Sequence, residues 1–197
     1  MKNSLRLILN LFFRGNNLFW NLIKSMYKNN TIYIGPSSNL RECKFYISGR
    51  GNIVQIGNQC DLAGLKIYMN CSGCSVYIGN NVRVSATSSH STDLYACDGG
   101  SIVIKDNCLF SNRIEILTTD FHKILNEHGK RYNFTSDVEI GENCWIGMQA
   151  LILKGVRLSN NIVIGAKSVV TKSCTDSNVV MAGFPAKVIR RNIEWKP

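Results

Sequence analysis

Apolar residues recur every six positions at Ile140, Ile146, Ile152, Leu158, Ile164 and Val170, with mostly polar or small residues between them. An amphipathic helix needs spacings of three and four, and a half-buried strand needs alternation, so a period of six fits neither. It fits a backbone that coils, with each six-residue unit forming one short side of a coil stacked on the next. The prediction is an all-β chain folded as a parallel β-solenoid. Four positions after each apolar anchor stands a small or medium residue, Cys144, Ala150, Val156, Ile162, Ser168 and Cys174, suited to filling a corner beside it. Glycine follows the anchor at Gly141, Gly147 and Gly165, where the expectation is a tight corner that needs glycine's backbone freedom.

The same beat runs upstream less regularly. Strand-then-turn phrases end at Ile34, Ile56, Ile78, Ile104, Ile140 and Leu158, which implies roughly 18 to 26 residues per coil, with longer coils carrying loops at their corners and the coil from Ile104 to Ile140 much longer than the rest. Between Ile116 and Ile140 the spacing jumps, so residues 117–137 are expected to leave the solenoid as a loop. At 197 residues and 22.0 kDa the chain suits one continuous core, read as three segments. These are an N-terminal helical segment over residues 1–30, a solenoid over 31–180, and a tail over 181–197 ending in a capping helix.

Residues 1–30 hold two apolar runs interrupted by Lys2, Arg6, Arg14, Lys24 and Lys28, so neither reaches the length of a membrane span. Arg6 inside the first run and the lack of a small-residue cleavage site argue against a signal peptide. A helical cap on the open end of the solenoid is the plain reading, and a basic peripheral contact with a membrane is its rival. Eight cysteines are present, and Cys60, Cys108, Cys144 and Cys174 fall on core positions four after an anchor. Buried thiols of that kind act as small hydrophobes in a reducing cytosol, which points to a cytoplasmic protein, or one at the inner face of the membrane. Cys71 and Cys74 have a metal-like or redox-like spacing but no second pair to complete a zinc site. The net charge of +10 favours anionic partners, and no nucleic-acid-binding motif accompanies it.

Three histidines, His90, His122 and His128, are the candidates for a general base near neutral pH. His122 stands at the root of the long loop, with Asp120 two residues away as an orienting partner. In the tail, Gly183 and Pro185 break the rhythm where Lys187 and Arg190 begin a basic cluster. That break turns the chain across the end coil and sets a phosphate-pairing cluster beside the solenoid wall.

The runs Asn143, Cys144, Trp145, Ile146, Gly147, then Ile164 to Lys172, then Gly183, Phe184, Pro185, Ala186, Lys187, Val188, Ile189 resemble the hexapeptide-repeat acyltransferases, most of all the sugar O-acetyltransferases. The resemblance covers about Ile104 to Arg191 well, Ile32 to Gly100 weakly, and the first thirty residues not at all. It implies a left-handed parallel β-helix and a homotrimer with active sites between neighbouring subunits. It also implies transfer of an acetyl group from acetyl-CoA to a sugar hydroxyl, with no metal and with His122 as base. Trp145 would wall the thioester pocket or orient the acceptor. Gly147, Met148, Ala166, Thr171, Lys172, Lys187 and Arg190 would bind acetyl-CoA, and Asp98 and Arg131 would face the acceptor. Lys123 follows His122 where small-sugar acetyltransferases usually place proline, and the N-terminal leader is short and apolar. Both departures shift the expected acceptor from a free sugar to a capsular, lipopolysaccharide or lipid-linked glycan. The rivals are a noncatalytic solenoid scaffold and a trimeric zinc lyase using His90, His122 and His128.

Overall fold

Each apolar beat becomes a short strand whose anchor points inward. The computed structural model describes residues 29–196, which form twenty strands from β1 (Thr31–Ile34) to β20 (Ala186–Arg191). From β1 to β18 successive strands fall in turn on three sheets and pair in parallel, so each coil has three sides. Sheet A has six strands, from β1 to β16 (Arg157–Leu158). Sheet C also has six, from β3 (Lys44–Ile47) to β18 (Val169–Val170), and sheet B has eight, ending with β19 (Val179–Gly183) and β20. The six coil starts read from the sequence are stacked partners: Ile34, Ile56, Ile78, Ile104, Ile140 and Leu158 pair one to the next along sheet A.

All six anchors from Ile140 to Val170 are buried, as are the corner residues four positions beyond them. Cys60, Cys108, Cys144 and Cys174 are free thiols in that core. The glycines have a different reason from the one expected. Gly141, Gly147 and Gly165 do not adopt positive φ; they are required because the next coil lies too close for a side chain. A Cβ on Gly147 would sit 2.6 Å from the Ile164 carbonyl oxygen, and one on Gly165 would sit 2.9 Å from the Ala182 Cβ. The left-handed residues come three after the anchor, at Asn143, Gln149, Gly155, Asn161 and Lys167. Asparagine tolerates that conformation best after glycine, which explains its frequency in these corners.

Residues 118–137 leave the solenoid between β12 (Glu115–Leu117) on sheet C and β13 (Val138–Ile140) on sheet A; Leu117, expected in the loop, instead closes β12. The capping helix expected in the tail is instead a strand. β20 runs antiparallel to β19, and β19 itself spans the boundary placed at 180/181. A solenoid ends in unpaired strand edges, and a returning strand satisfies the backbone groups of one such edge where a helix could not. No helix among the described residues is long and apolar enough to cross a membrane, and the expectations for residues 1–28 lie outside the described residues.

Candidate active site

The loop over residues 118–137 is tied down at its neck. Lys154, from the following coil, donates to Asp120 Oδ2 at 2.6 Å and to the Phe134 carbonyl at 2.9 Å, joining the two ends of the loop. The buried Asn133 donates to Asp120 Oδ2 and to the His122 carbonyl, at 2.8 and 2.7 Å, and accepts from the Ile124 amide at 2.7 Å. The His122 amide donates to the Asp120 carbonyl at 2.7 Å. The His122 backbone is therefore held on both sides while its side chain is exposed. Asp120 makes no hydrogen bond to the imidazole; its Oδ2 is shared by Lys154 and Asn133. The Lys154 ammonium holds that carboxyl below its ordinary range. Arg131 also serves the loop, donating from Nε to the Asn133 carbonyl at 3.1 Å and lying over the Phe134 ring. Asp98 approaches the same neck, accepting from Thr119 Oγ1 at 2.7 Å.

Trp145 lies elsewhere. It stands on β14 (Trp145–Ile146), on the outer face of sheet B, 39% exposed, while His122 is on the edge between sheets C and A. Strand register puts Trp145, Val163, Val180 and Arg190 in one outward column. Three strand spacings of about 4.8 Å make that column roughly 14 Å long. Arg190 belongs to it only because a bulge opposite Val180/Met181 shifts β20 by one residue; without it, alternation would turn Arg190 away from Lys187. Lys187 pairs with Ala182, beside the corner where Gly147, Met148, Gly165 and Ala166 are stacked.

At that corner the backbone is open. The Gly147 amide is spent on the Ile164 carbonyl and the Gln149 amide on Asn112, but the Met148 amide has no acceptor among the described residues. At equivalent turn positions on another edge, the amides of Asn58, Asn80 and Glu142 donate to Asn80, Asp106 and Asn160 in the next coil. Over Met148 the next coil offers Ala166, which has no acceptor atom in its side chain. A groove of about 460 Å³ adjoins this corner, lined by His90, Asp93, Arg113, Glu115, Gln149 and Leu151.

The predicted residues thus fall into two groups. Trp145, Gly147, Met148, Ala166, Lys187 and Arg190 share sheet B and its edge with sheet C. His122, Asp98 and Arg131 share the C–A edge, as do Thr171 and Lys172, which directly follow β18. Within one chain the whole of sheet C separates the groups. Sequence reasoning missed Lys154, Asn133 and Trp195. Trp195 packs on Trp145 with ring centroids 6.0 Å apart and donates from Nε1 to the Asn143 carbonyl at 2.8 Å. The first two are polar residues among many, and the Trp195 contact spans 52 residues, so no local pattern marks them. Among the described residues no group of three His, Cys, Asp or Glu side chains could hold a metal ion, and His90, His122 and His128 sit on separate turns.

Residues 137–172 match the family described as bacterial transferase hexapeptide (six repeats). Galactoside O-acetyltransferase of Escherichia coli (strain K12) is 36% identical over 112 residues, which is 56% of this chain and 54% of that protein. Polysialic acid O-acetyltransferase of Neisseria meningitidis is 32% identical over 110 residues, 55% of this chain and 51% of that one. The chain therefore spans about half the length of these curated relatives. The solved structure of the polysialic acid O-acetyltransferase OatWY superposes with a TM-score of 0.68 and 30% identity, over 86% of this chain and 88% of that one. With the coil geometry, the repeat and a relative matched along nearly its whole length in agreement, the chain belongs to the hexapeptide-repeat acyltransferases, in the sugar O-acetyltransferase branch.

Proposed function

We propose that the protein transfers an acetyl group from acetyl-CoA to a hydroxyl of an acidic cell-surface glycan, at sites formed between the subunits of a homotrimer. The observation that carries this reading is the separation of the two residue groups. A histidine on a braced loop occupies one edge of the solenoid, and an open amide beside a tryptophan and the basic pair Lys187 and Arg190 occupies another. A neighbouring copy that sets its B–C edge against this C–A edge completes one site, and three copies close a ring with three sites.

The roles follow from the chemistry. A sugar hydroxyl is a weak nucleophile at neutral pH, so the His122 imidazole takes its proton as the oxygen attacks the thioester carbonyl. The C–O bond forms, the carbonyl oxygen becomes an oxyanion, and the Met148 N–H donates to it. Collapse breaks the C–S bond, and the proton held on His122 passes to the departing thiolate. Trp145 walls the thioester, Lys187 and Arg190 pair with the nucleotide phosphates, and Thr171 and Lys172 reach the coenzyme from the other subunit. Asp98 lies on the acceptor side with the loop. The acidic acceptor is supported by the net charge of +10 and by the polysialic acid enzymes among the relatives. Location in the cytoplasm follows as a proposal, since acetyl-CoA is made there.

The test is acetyl-CoA turnover against a panel of capsular and O-antigen glycans, read as free thiol release, together with the mass of the assembly in solution. Release with an acidic glycan from a trimer is the expected result. Failure to bind coenzyme A would return the chain to a noncatalytic scaffold.

A further inference from the structure

Acetyl transfer by direct attack uses no thiol, yet one pair of cysteines joins a buried core thiol, Cys74, to a partly exposed one, Cys71. Cys71 and Cys74 lie in the corner between β6 (Leu65–Met69) on sheet C and β7 (Ser75–Ile78) on sheet A, the same edge that carries the His122 loop. Their sulfur atoms are 3.2 Å apart. Cys71 is half-buried and solvent can reach it, while Cys74 is buried beneath it. Gly73 between them has φ +75, and its surroundings are open, with nothing within 4 Å of an added Cβ. The Cys71–Ser72 backbone packs closely on Gly49 in the preceding coil, so the Gly73 side of the corner is the open one. The next corner on this edge holds Asp98 and Gly99, and the Gly99 amide donates to Cys71 Sγ at 3.0 Å. From there the contacts continue through Asp98 to Thr119 Oγ1, which accepts from the Phe121 amide at 3.2 Å, next to His122.

We propose that Cys71 and Cys74 form a dithiol site that exchanges with low-molecular-weight disulfides and closes to an intrachain disulfide at the base of the Asp98 turn. The Cys71 thiolate attacks one sulfur of the reagent, whose S–S bond breaks, and one small thiolate leaves. The Cys74 sulfur then attacks Cys71 Sγ, its proton goes to the thiolate just released, and the second small thiolate departs, taking up from solvent the proton that Cys71 lost on ionising. Two protein thiols are oxidised and one small disulfide is reduced to two thiols. Burial and the Cys71 contact push the Cys74 thiol up to about 12, which makes Cys71 the attacking partner. Closing the pair to a bond of about 2 Å draws Cys71 Sγ inward and away from the Gly99 amide. The turn bearing Asp98 then loses that hydrogen bond, while Thr119 Oγ1 still donates to Asp98 and the Gly100 amide to the Cys97 carbonyl. That Asp98 lies on the acceptor side rests on the proposed function, whereas the exchange chemistry does not.

The experiment incubates the full chain with glutathione disulfide, blocks free thiols under denaturing conditions, and measures peptide masses. The expected product is a peptide holding both cysteines, short of two hydrogens and carrying no glutathione, restored by dithiothreitol. The other six cysteines stay open to alkylation, and Cys71→Ser forms no internal bond. A lasting glutathione adduct on Cys71, a bond from Cys71 to Cys97, or no reaction overturns the proposal. Amide exchange at Gly99 is expected to quicken in the oxidised protein, and an unchanged rate overturns the link to the Asp98 turn. Neither readout depends on acetyl transfer, so a chain that proves inactive still decides the matter.

Discussion

Lys154 Nζ lies 2.6 Å from Asp120 Oδ2, a contact that reaches across 34 residues to brace the loop bearing His122. The lysine is only 21% exposed and also holds the Phe134 carbonyl, so it acts as a clamp across the neck of the loop. In Lys154→Met the solenoid should lose little, about 1 kcal/mol or less, because the Asp120 side is partly solvated. Turnover should fall roughly 10-fold to 100-fold through misplacement of the base. Hydrogen exchange across residues 118–137, compared with the melting temperature, separates the two effects.

The same ion pair sets a pH window. The ammonium lowers the folded-state pKa of Asp120 below its ordinary 3.8. Stability from a depressed carboxylate is complete above the unfolded value and lost as pH falls through the folded one. Loop protection should therefore hold at neutral pH and drop only below about pH 4. Asp120→Asn should remove that acid step, and protection that declines already between pH 5 and 7 would contradict the assignment.

Two variants test the transfer chemistry from opposite edges. His122→Ala should cut turnover by about 100-fold to 10,000-fold with the assembly intact. Met148→Pro removes the open amide and should cost about 100-fold to 1,000-fold in kcat, whereas Met148→Ala keeps the amide and most of the activity. Equal losses in the two Met148 variants would place the oxyanion donor elsewhere.

The basic pair Lys187 and Arg190 predicts a salt signature. Arg190→Ala and Lys187→Ala should each raise the KM for acetyl-CoA several-fold with little change in kcat, and the difference from the parent should shrink at high ionic strength. Binding measured with 3′-dephosphorylated coenzyme A should be less sensitive to both.

Coil spacing has its own test at Gly57. A Cβ there would meet the Gly79 carbonyl oxygen at 2.5 Å and the Asn80 nitrogen at 2.8 Å, both backbone atoms that cannot swing aside. Gly57→Ala should destabilise by roughly 1–3 kcal/mol, read from denaturant unfolding. The residue has no positive φ to relax, so a neutral result would mean that the coils can part at that corner.

The sequence by itself determined the coil. A six-residue period is local information, because each side of the prism repeats the same demand: an apolar residue inward, a small one at the corner, then a turn. That is why the anchors, all six starts on sheet A and the departure of the loop at Ile116 were legible, and why His122 stood out at its root. Tertiary structure alone decided the rest. Whether Arg190 shares a face with Lys187 depends on one bulge, and whether the tail is helix or strand depends on the open edge it covers. Asp120 meets Lys154 and not the His122 ring because the next coil places that lysine against its Oδ2. The Met148 amide is open because the residue stacked over it is Ala166 and not asparagine. Each of these outcomes depends on residues a coil or more apart in the chain, a separation at which the repeat says which positions meet but not which of their polar groups will pair.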